Sequence, residues 1–182
     1  MDFEKELQRG VKLLNEKKYK ESIDIAKDLQ YEEPDAPDGY RLEAMVMQKQ
    51  NHWEQSIEAL DKAIKNDPDD GGLYNLRGFA YLSLEKLSKA EKDLKKAIDL
   101  DNSPSAHRNL VLHKIMNDNG TEAIQYLIGR IKQNPQDVEN WILMGDLMQR
   151  GGQTEKAVSY YEQAKKMDPE NSYVKKQLDT LG

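Results

Sequence analysis

The chain contains no cysteine, which excludes disulfide bonds and thiolate chemistry and leaves the redox compartment unmarked. No apolar run approaches the roughly 18 residues that a membrane helix requires. The opening stretch MDFEKELQRGVKLL is charged and amphipathic where a signal peptide would carry an apolar core. A cytoplasmic protein is the expectation, with a mature exported form also compatible. Basic residues are in deficit, 27 against 33 acidic ones, and the resulting net charge of −6 repels polyanions. Neither nucleic acid nor an anionic membrane surface is therefore an expected partner, and without a long apolar run no membrane insertion is expected. The glycines stand in turn and helix-packing places, with no phosphate-binding loop, and no nucleophile elbow or HExxH is present. His52 lies in a turn, while His107 and His113 are six residues apart and point to nearly opposite sides of a helix, a poor geometry for shared ligands. Asp67, Asp69 and Asp70 lack calcium-loop spacing and read as helix caps. Neither a catalytic constellation nor a metal or cofactor site emerges, and the expectation is a protein that is not an enzyme.

What is present is a pattern. In the stretch from Val138 to Pro169, Trp141, Gly145 and Met148 share one face of a helix, and Gly151-Gly152 ends it. A second run puts Ala157, Tyr161 and Ala164 on one stripe and stops before Pro169. Two such helices make a hairpin, which alone buries too little to be stable. Upstream, Tyr74, Gly78 and Tyr81 precede Ala90, Leu94 and Ala97; Tyr40, Ala44 and Met47 precede Ser56, Leu60 and Ala63. Gly10 and Leu13 precede Ser22, Ala26 and Leu29 more weakly. The period is about 34 residues, the mark of a solenoid.

With an aromatic, a small residue, a large one, then Ala, an aromatic, Ala and a closing Pro, the chain resembles the tetratricopeptide repeat family over nearly its whole length. The resemblance implies an all-α, right-handed α-solenoid of helix-turn-helix hairpins in a single domain. Its repeats would run over 3–36, 37–70, 71–104, 105–137 and 138–171, with a capping helix over 172–182. In that last segment Val174, Leu178 and Leu181 share one side, and Lys175, Lys176 and Asp179 cover the other. No comparable cap is visible before the first hairpin, which must cap itself or be covered by a partner. Repeat four is one residue short. The turn Asp118-Asn119-Gly120 is the expected place of the deletion, which would put Arg108 and Leu112 where Tyr74 and Gly78 stand next door.

The resemblance also implies that the first helices line a concave groove. Beside their core stripe, Leu42, Leu76, Leu110 and Leu143 form a row. Met45, Phe79, His113 and Asp146 lie one turn further on, and Arg41, Asn75, Asn109 and Ile142 lie alongside. Phe79 offers the largest contact area, Met45 and Met116 an adaptable surface, and Asn75 and Asn109 hydrogen bonds to a peptide backbone. The leucine row suits packing between successive first helices equally well. Lys89, Lys92 and Lys96 form a basic stripe on a second helix that reads as a solvated face. The functional expectation is an adaptor that holds a peptide or helical segment of a partner protein in its groove. A self-associating structural protein, or a chaperone or accessory subunit of a larger complex or secretion system, is the alternative.

Overall fold

The computed structural model describes residues 2–182, and every regular element among them is an α-helix. Five helix pairs follow one another: α1 (Phe3–Asn15) with α2 (Tyr19–Glu32), α3 (Asp38–Lys49) with α4 (Trp53–Asn66), and α5 (Gly71–Ser83) with α6 (Leu87–Asp101). Then come α7 (Pro104–Met116) with α8 (Gly120–Gln133), and α9 (Val138–Arg150) with α10 (Thr154–Met167). A last helix, α11 (Ser172–Leu181), stands where a sixth pair would begin. The chain forms two compact units, one ending at His113 and the other beginning at Lys114, so the boundary falls inside α7.

Each hairpin turns in the same way. Three residues join its helices, and the middle one takes positive φ: Lys17 (61°), Asn51 (61°), Glu85 (56°), Asp118 (55°) and Gly152 (70°). The residue after it returns its N–H to a carbonyl five positions back, as in Lys18 to Leu13 (2.9 Å), His52 to Met47 (2.8 Å) and Gln153 to Met148 (2.9 Å). That bond closes the last turn of the first helix and satisfies carbonyls that would otherwise be orphaned. Apart from α3, the first helices and α11 are opened by side-chain caps at a matching interval. Asp2, Asp70, Ser103, Asp137 and Asn171 each accept a backbone N–H from two or three residues ahead.

These two series locate the missing residue of repeat four, and it is not in the Asp118 turn, which has the common length. The positive-φ residues run at intervals of 34, 34, 33 and 34, and the caps Asp70, Ser103, Asp137 and Asn171 at 33, 34 and 34. The deletion therefore lies in the junction between α6 and α7, which is only Asn102-Ser103. Asn102 absorbs it by closing α6 in the left-handed conformation (φ 48°, ψ 33°), a geometry that asparagine tolerates. Its side chain also meets the His107 ring at 2.8 Å. Residues of α7 thus shift by one against the sequence expectation. The place of Gly78 is taken by buried Val111, not by Leu112, which is only half-buried.

Small residues on first helices meet large ones on second helices. A methyl group at Gly78 would come within 2.9 Å of Leu94, and one at Gly145 within 2.6 Å of Tyr161. In the first unit the hairpins stack so that α3 packs on α2 and α5 on α4, while α1, α3 and α5 lie side by side as one layer. One core cluster gathers Leu13, Leu14, Ile25, Leu29, Leu42 and Val46; another gathers Ala44, Leu60, Ala63 and Leu73. The outward face of α1 is polar. At the positions where α5 buries Leu73 and Ala80, α1 carries exposed Lys5 and Lys12, so the first hairpin caps itself. In the second unit α8, α9, α10 and α11 pack in sequence, with Val174 of α11 buried and Lys175, Lys176 and Asp179 exposed.

Candidate functional site

The layer of first helices in the first unit positions the candidate surface. Gln48 of α3 donates to the carbonyl of Leu76 on α5 (2.8 Å) and to the hydroxyl of Ser56 (3.1 Å), tying neighbouring hairpins together. Arg41 of α3 pairs with Asp70, the residue that caps α5. One repeat on, Asn109 of α7 donates through Nδ2 to Oδ1 of Asn75 on α5 at 2.8 Å. Asn75 in turn donates to the hydroxyl of Ser105 (3.2 Å), which meets that of Ser103 at 3.2 Å. The result is a polar ladder across the adjacent first helices α5 and α7. Phe79 of α5 stands edge-on to Trp53, the first residue of α4, with ring centroids 5.8 Å apart and planes at 79°. This T-shaped pair spans two successive hairpins.

The expected residues divide accordingly. Leu42 is 1% exposed and belongs to the first core cluster, and Leu110, His113 and Leu143 are also buried. Leu76 is half-buried against the second cluster and Met45 against the first. Most of the leucine row is therefore packing. Its fourth-repeat member, Leu110, is also out of line by one residue. With the short Asn102-Ser103 junction, Asn109 takes the place held by Leu42, Leu76 and Leu143, and Leu112 that of Met45, Phe79 and Asp146. Arg108 falls in line with Arg41, Asn75 and Ile142. Asp146 sits in the second unit, where its Oδ1 accepts from the phenols of Tyr161 (2.6 Å) and Tyr173 (2.7 Å). What the fold brings together is Asn75 with Asn109 and Ser105, and Phe79 with Trp53. Sequence reasoning misses Gln48 and Ser105; the spacing of the capping residues Asp70 and Ser103 would align α7 and place Ser105 beside Asn75. No group of three or more His, Asp or Glu side chains among the described residues is arranged to hold a metal ion. None of their helices is long and apolar enough to cross a membrane.

Short helices paired through three-residue turns, repeated every 33 or 34 residues with small-to-large contacts between them, define a helical-repeat protein of the solenoid class. The chain belongs to the tetratricopeptide repeat family: family models described as tetratricopeptide repeat match residues 41–107 and 138–171. It is 25% identical over 166 residues to mouse (Mus musculus) protein O-mannosyl-transferase TMTC1, covering 89% of this chain and 14% of that protein. To the Hsp70-Hsp90 organizing protein of Triticum aestivum it is 31% identical over 88 residues, 47% of this chain and 15% of that one. The chain thus spans about a seventh of the length of these curated relatives. Among solved structures, a thermophilic tetratricopeptide repeat protein of Thermus thermophilus, TTC0263, superposes with a TM-score of 0.81 at 17% identity over 98% of both chains. Repeats of this family generally serve as non-catalytic scaffolds for protein–protein interaction.

Proposed function

We propose that the inner face of the first unit binds an extended segment of a partner protein, without catalysing a reaction. Asn75 and Asn109 address the segment's backbone, and Phe79, Met45 and Leu76 receive its apolar side chains. The observation that carries this reading is the Asn75–Asn109 hydrogen bond on adjacent inner helices. It holds both amides in place and half-exposed, and leaves each with hydrogen-bonding capacity to spare. Asn75 keeps one N–H beyond its bond to Ser105, and Asn109 keeps one N–H and its carbonyl oxygen. An extended backbone presents the matching alternation of donors and acceptors. Arg41 is less available, because it is committed to Asp70. A groove of this kind supports an affinity on the order of micromolar, about −8 kcal/mol, since ordering a flexible segment offsets much of the contact energy.

The test is capture from a lysate of the source organism by the wild type and by the Asn75→Ala/Asn109→Ala double variant, with identification by mass spectrometry. Peptides tiling the captured protein are then titrated against each. One tile should bind the wild type, with Phe79→Ala weakening it by roughly 1–3 kcal/mol. Equal capture by the wild type and by a double variant that melts normally would place binding elsewhere. The alternative of end-to-end stacking through the first hairpin is disfavoured by the exposed Lys5 and Lys12 on the outward face of α1.

A further inference from the structure

We propose that this protein self-associates head-to-tail, with the acidic loop that follows α2 of one copy seated in the basic cleft between α4, α5 and α6 of another. The surfaces involved are separate from the inner groove.

The loop is the segment Tyr31-Glu32-Glu33-Pro34-Asp35. Tyr31 is 85% exposed, the most exposed large hydrophobic side chain among the described residues, and all four residues after it are exposed too. The loop is held in shape: Asn66 donates to the Pro34 carbonyl (3.0 Å), and the Ala36 N–H to the Glu33 carbonyl (3.0 Å). Little order would be lost on docking. Its charges, like those at the end of α6, run against what a helix dipole favours. The last turns of α4, α8 and α10 carry Lys65, Arg130 with Lys132, and Lys165 with Lys166, which suit the negative end of a helix dipole. The last turn of α2 carries no basic residue, ends on Glu32, and runs on into Glu33 and Asp35. No ion pair among the described residues compensates this negative, apolar-tipped projection.

The cleft has a volume of about 520 Å³, within the usual size of a ligand pocket. Ile64 and the Tyr74 ring supply apolar lining, and Lys92, Lys95, Lys96 and Arg77 outnumber the two lining carboxylates, Asp93 and Asp99. Arg77 is committed to Asp93 and Asp61, and Lys95 to Glu91. Lys92 and Lys96 form no ion pair among the described residues, and as like charges four apart on a helix they repel.

The tyrosines make the match specific. Tyr40, Tyr74, Tyr81 and Tyr126 each lie near a lysine ammonium, Lys62 (5.7 Å), Lys96 (6.0 Å), Lys89 (5.5 Å) and Lys114 (5.9 Å). Among the described residues Tyr31 has no such partner and Lys92 no such ring. Seating Tyr31 of one copy beside Lys92 of another completes both, and brings Glu32 and Glu33 to the unpaired ammonium groups. Because the two surfaces differ, the contact is heterologous and propagates through successive copies unless it closes into a ring.

Sedimentation velocity of the full chain over a range of concentrations tests this, with Lys92→Glu/Lys96→Glu and Glu32→Lys/Glu33→Lys as surface variants. The wild type should grow in mass with concentration at low salt and lose this as salt screens the contact. Each variant alone should stay monomeric, with association at least about tenfold weaker. Mixing the two should restore it, since each then meets a complementary surface. Tyr31→Ala should weaken association with no change in its salt dependence. A wild type that stays monomeric at low salt, association that survives both charge reversals, or silent variants that fail to recover on mixing would each overturn the proposal.

Discussion

The guanidinium of Arg77 on α5 grips the carboxylate of Asp93 on α6 through Nε (2.7 Å) and an Nη (2.9 Å), and its other Nη reaches Asp61 on α4 at 2.6 Å. Asp93 is only 4% exposed, so this fork joins two successive hairpins inside the first unit. Burial works against the charge on Arg77, but its bonds to Asp93 and Asp61 outweigh it and hold the guanidinium protonated well above its usual range. Truncating Arg77→Ala leaves a buried carboxylate without a partner, and should cost about 3–5 kcal/mol in a denaturant melt. Repeat five places Met144 and Tyr160 at the two positions. The double replacement Arg77→Met/Asp93→Tyr should therefore recover most of the loss, since a packed apolar pair often equals a buried ion pair. A double variant no better than Arg77→Ala would show that the pair's role is not replaceable by packing.

The caps yield a prediction in the opposite direction. Stepping back 34 residues from Asp70 reaches Ala36, the one position of the series with no capping side chain, and α3 accordingly opens without a side-chain hydrogen bond. Ala36→Ser should stabilise the first unit by about 1 kcal/mol, and Asn171→Ala, which removes the bond to the Val174 N–H, should destabilise the second by a similar amount. Thermal melts of the two variants check both signs. Serine is preferred to aspartate because the neighbouring loop is already crowded with acids.

The helices, hairpins and most core stripes were legible in the sequence because each rests on local pattern. Gly145 opposite Tyr161 and Gly78 opposite Leu94 follow from spacing along two helices joined by a short turn. The register of α7 was not legible from its apolar residues. Leu110, Val111 and Leu112 are consecutive large aliphatics, so apolarity alone cannot say which of them takes the place of Gly78. The polar capping positions carried that information. The surface was harder still. A leucine at helical spacing reads the same whether it lines a groove or a core, and only the packing of neighbouring repeats buried Leu42 while leaving Phe79 against Trp53. The Arg77 fork was invisible for a different reason: it joins three helices and depends on the stacking itself.

Two glycines should respond to one substitution with opposite signs. Gly145→Ala places a methyl group 2.6 Å from the ring of Tyr161, which is fully buried and has its hydroxyl tied to Asp146 and Gln149. The ring cannot yield, and a loss of about 1–3 kcal/mol is expected. Gly129 lies inside α8 with nothing within 4 Å of an added Cβ. Gly129→Ala should stabilise the chain by about 0.5–1 kcal/mol through helix propensity and a less flexible unfolded chain. Unfolding midpoints in denaturant decide both, and equal shifts would mean that the Gly145 contact relaxes freely.

The shared carboxylate of the second unit makes stability depend on pH at the alkaline end. Burial first, and the hydrogen bond to Asp146 second, push the Tyr173 phenol up to about 12, and the same two causes push Tyr161 higher still. Both folded values lie above the ordinary phenol value of 10. The unfolded chain therefore releases these protons first as pH rises. The stability they contribute is complete below pH 10 and falls away as pH climbs from there through the folded values. Tyr173→Phe removes one phenol from the carboxylate and one titration from the balance. Relative to the wild type it should be less stable at neutral pH and lose less between about pH 10 and 12. Equilibrium unfolding across that range, followed alongside tyrosinate absorbance, gives the two curves. Parallel curves would mean that the Tyr173 bond to Asp146 does not persist in solution.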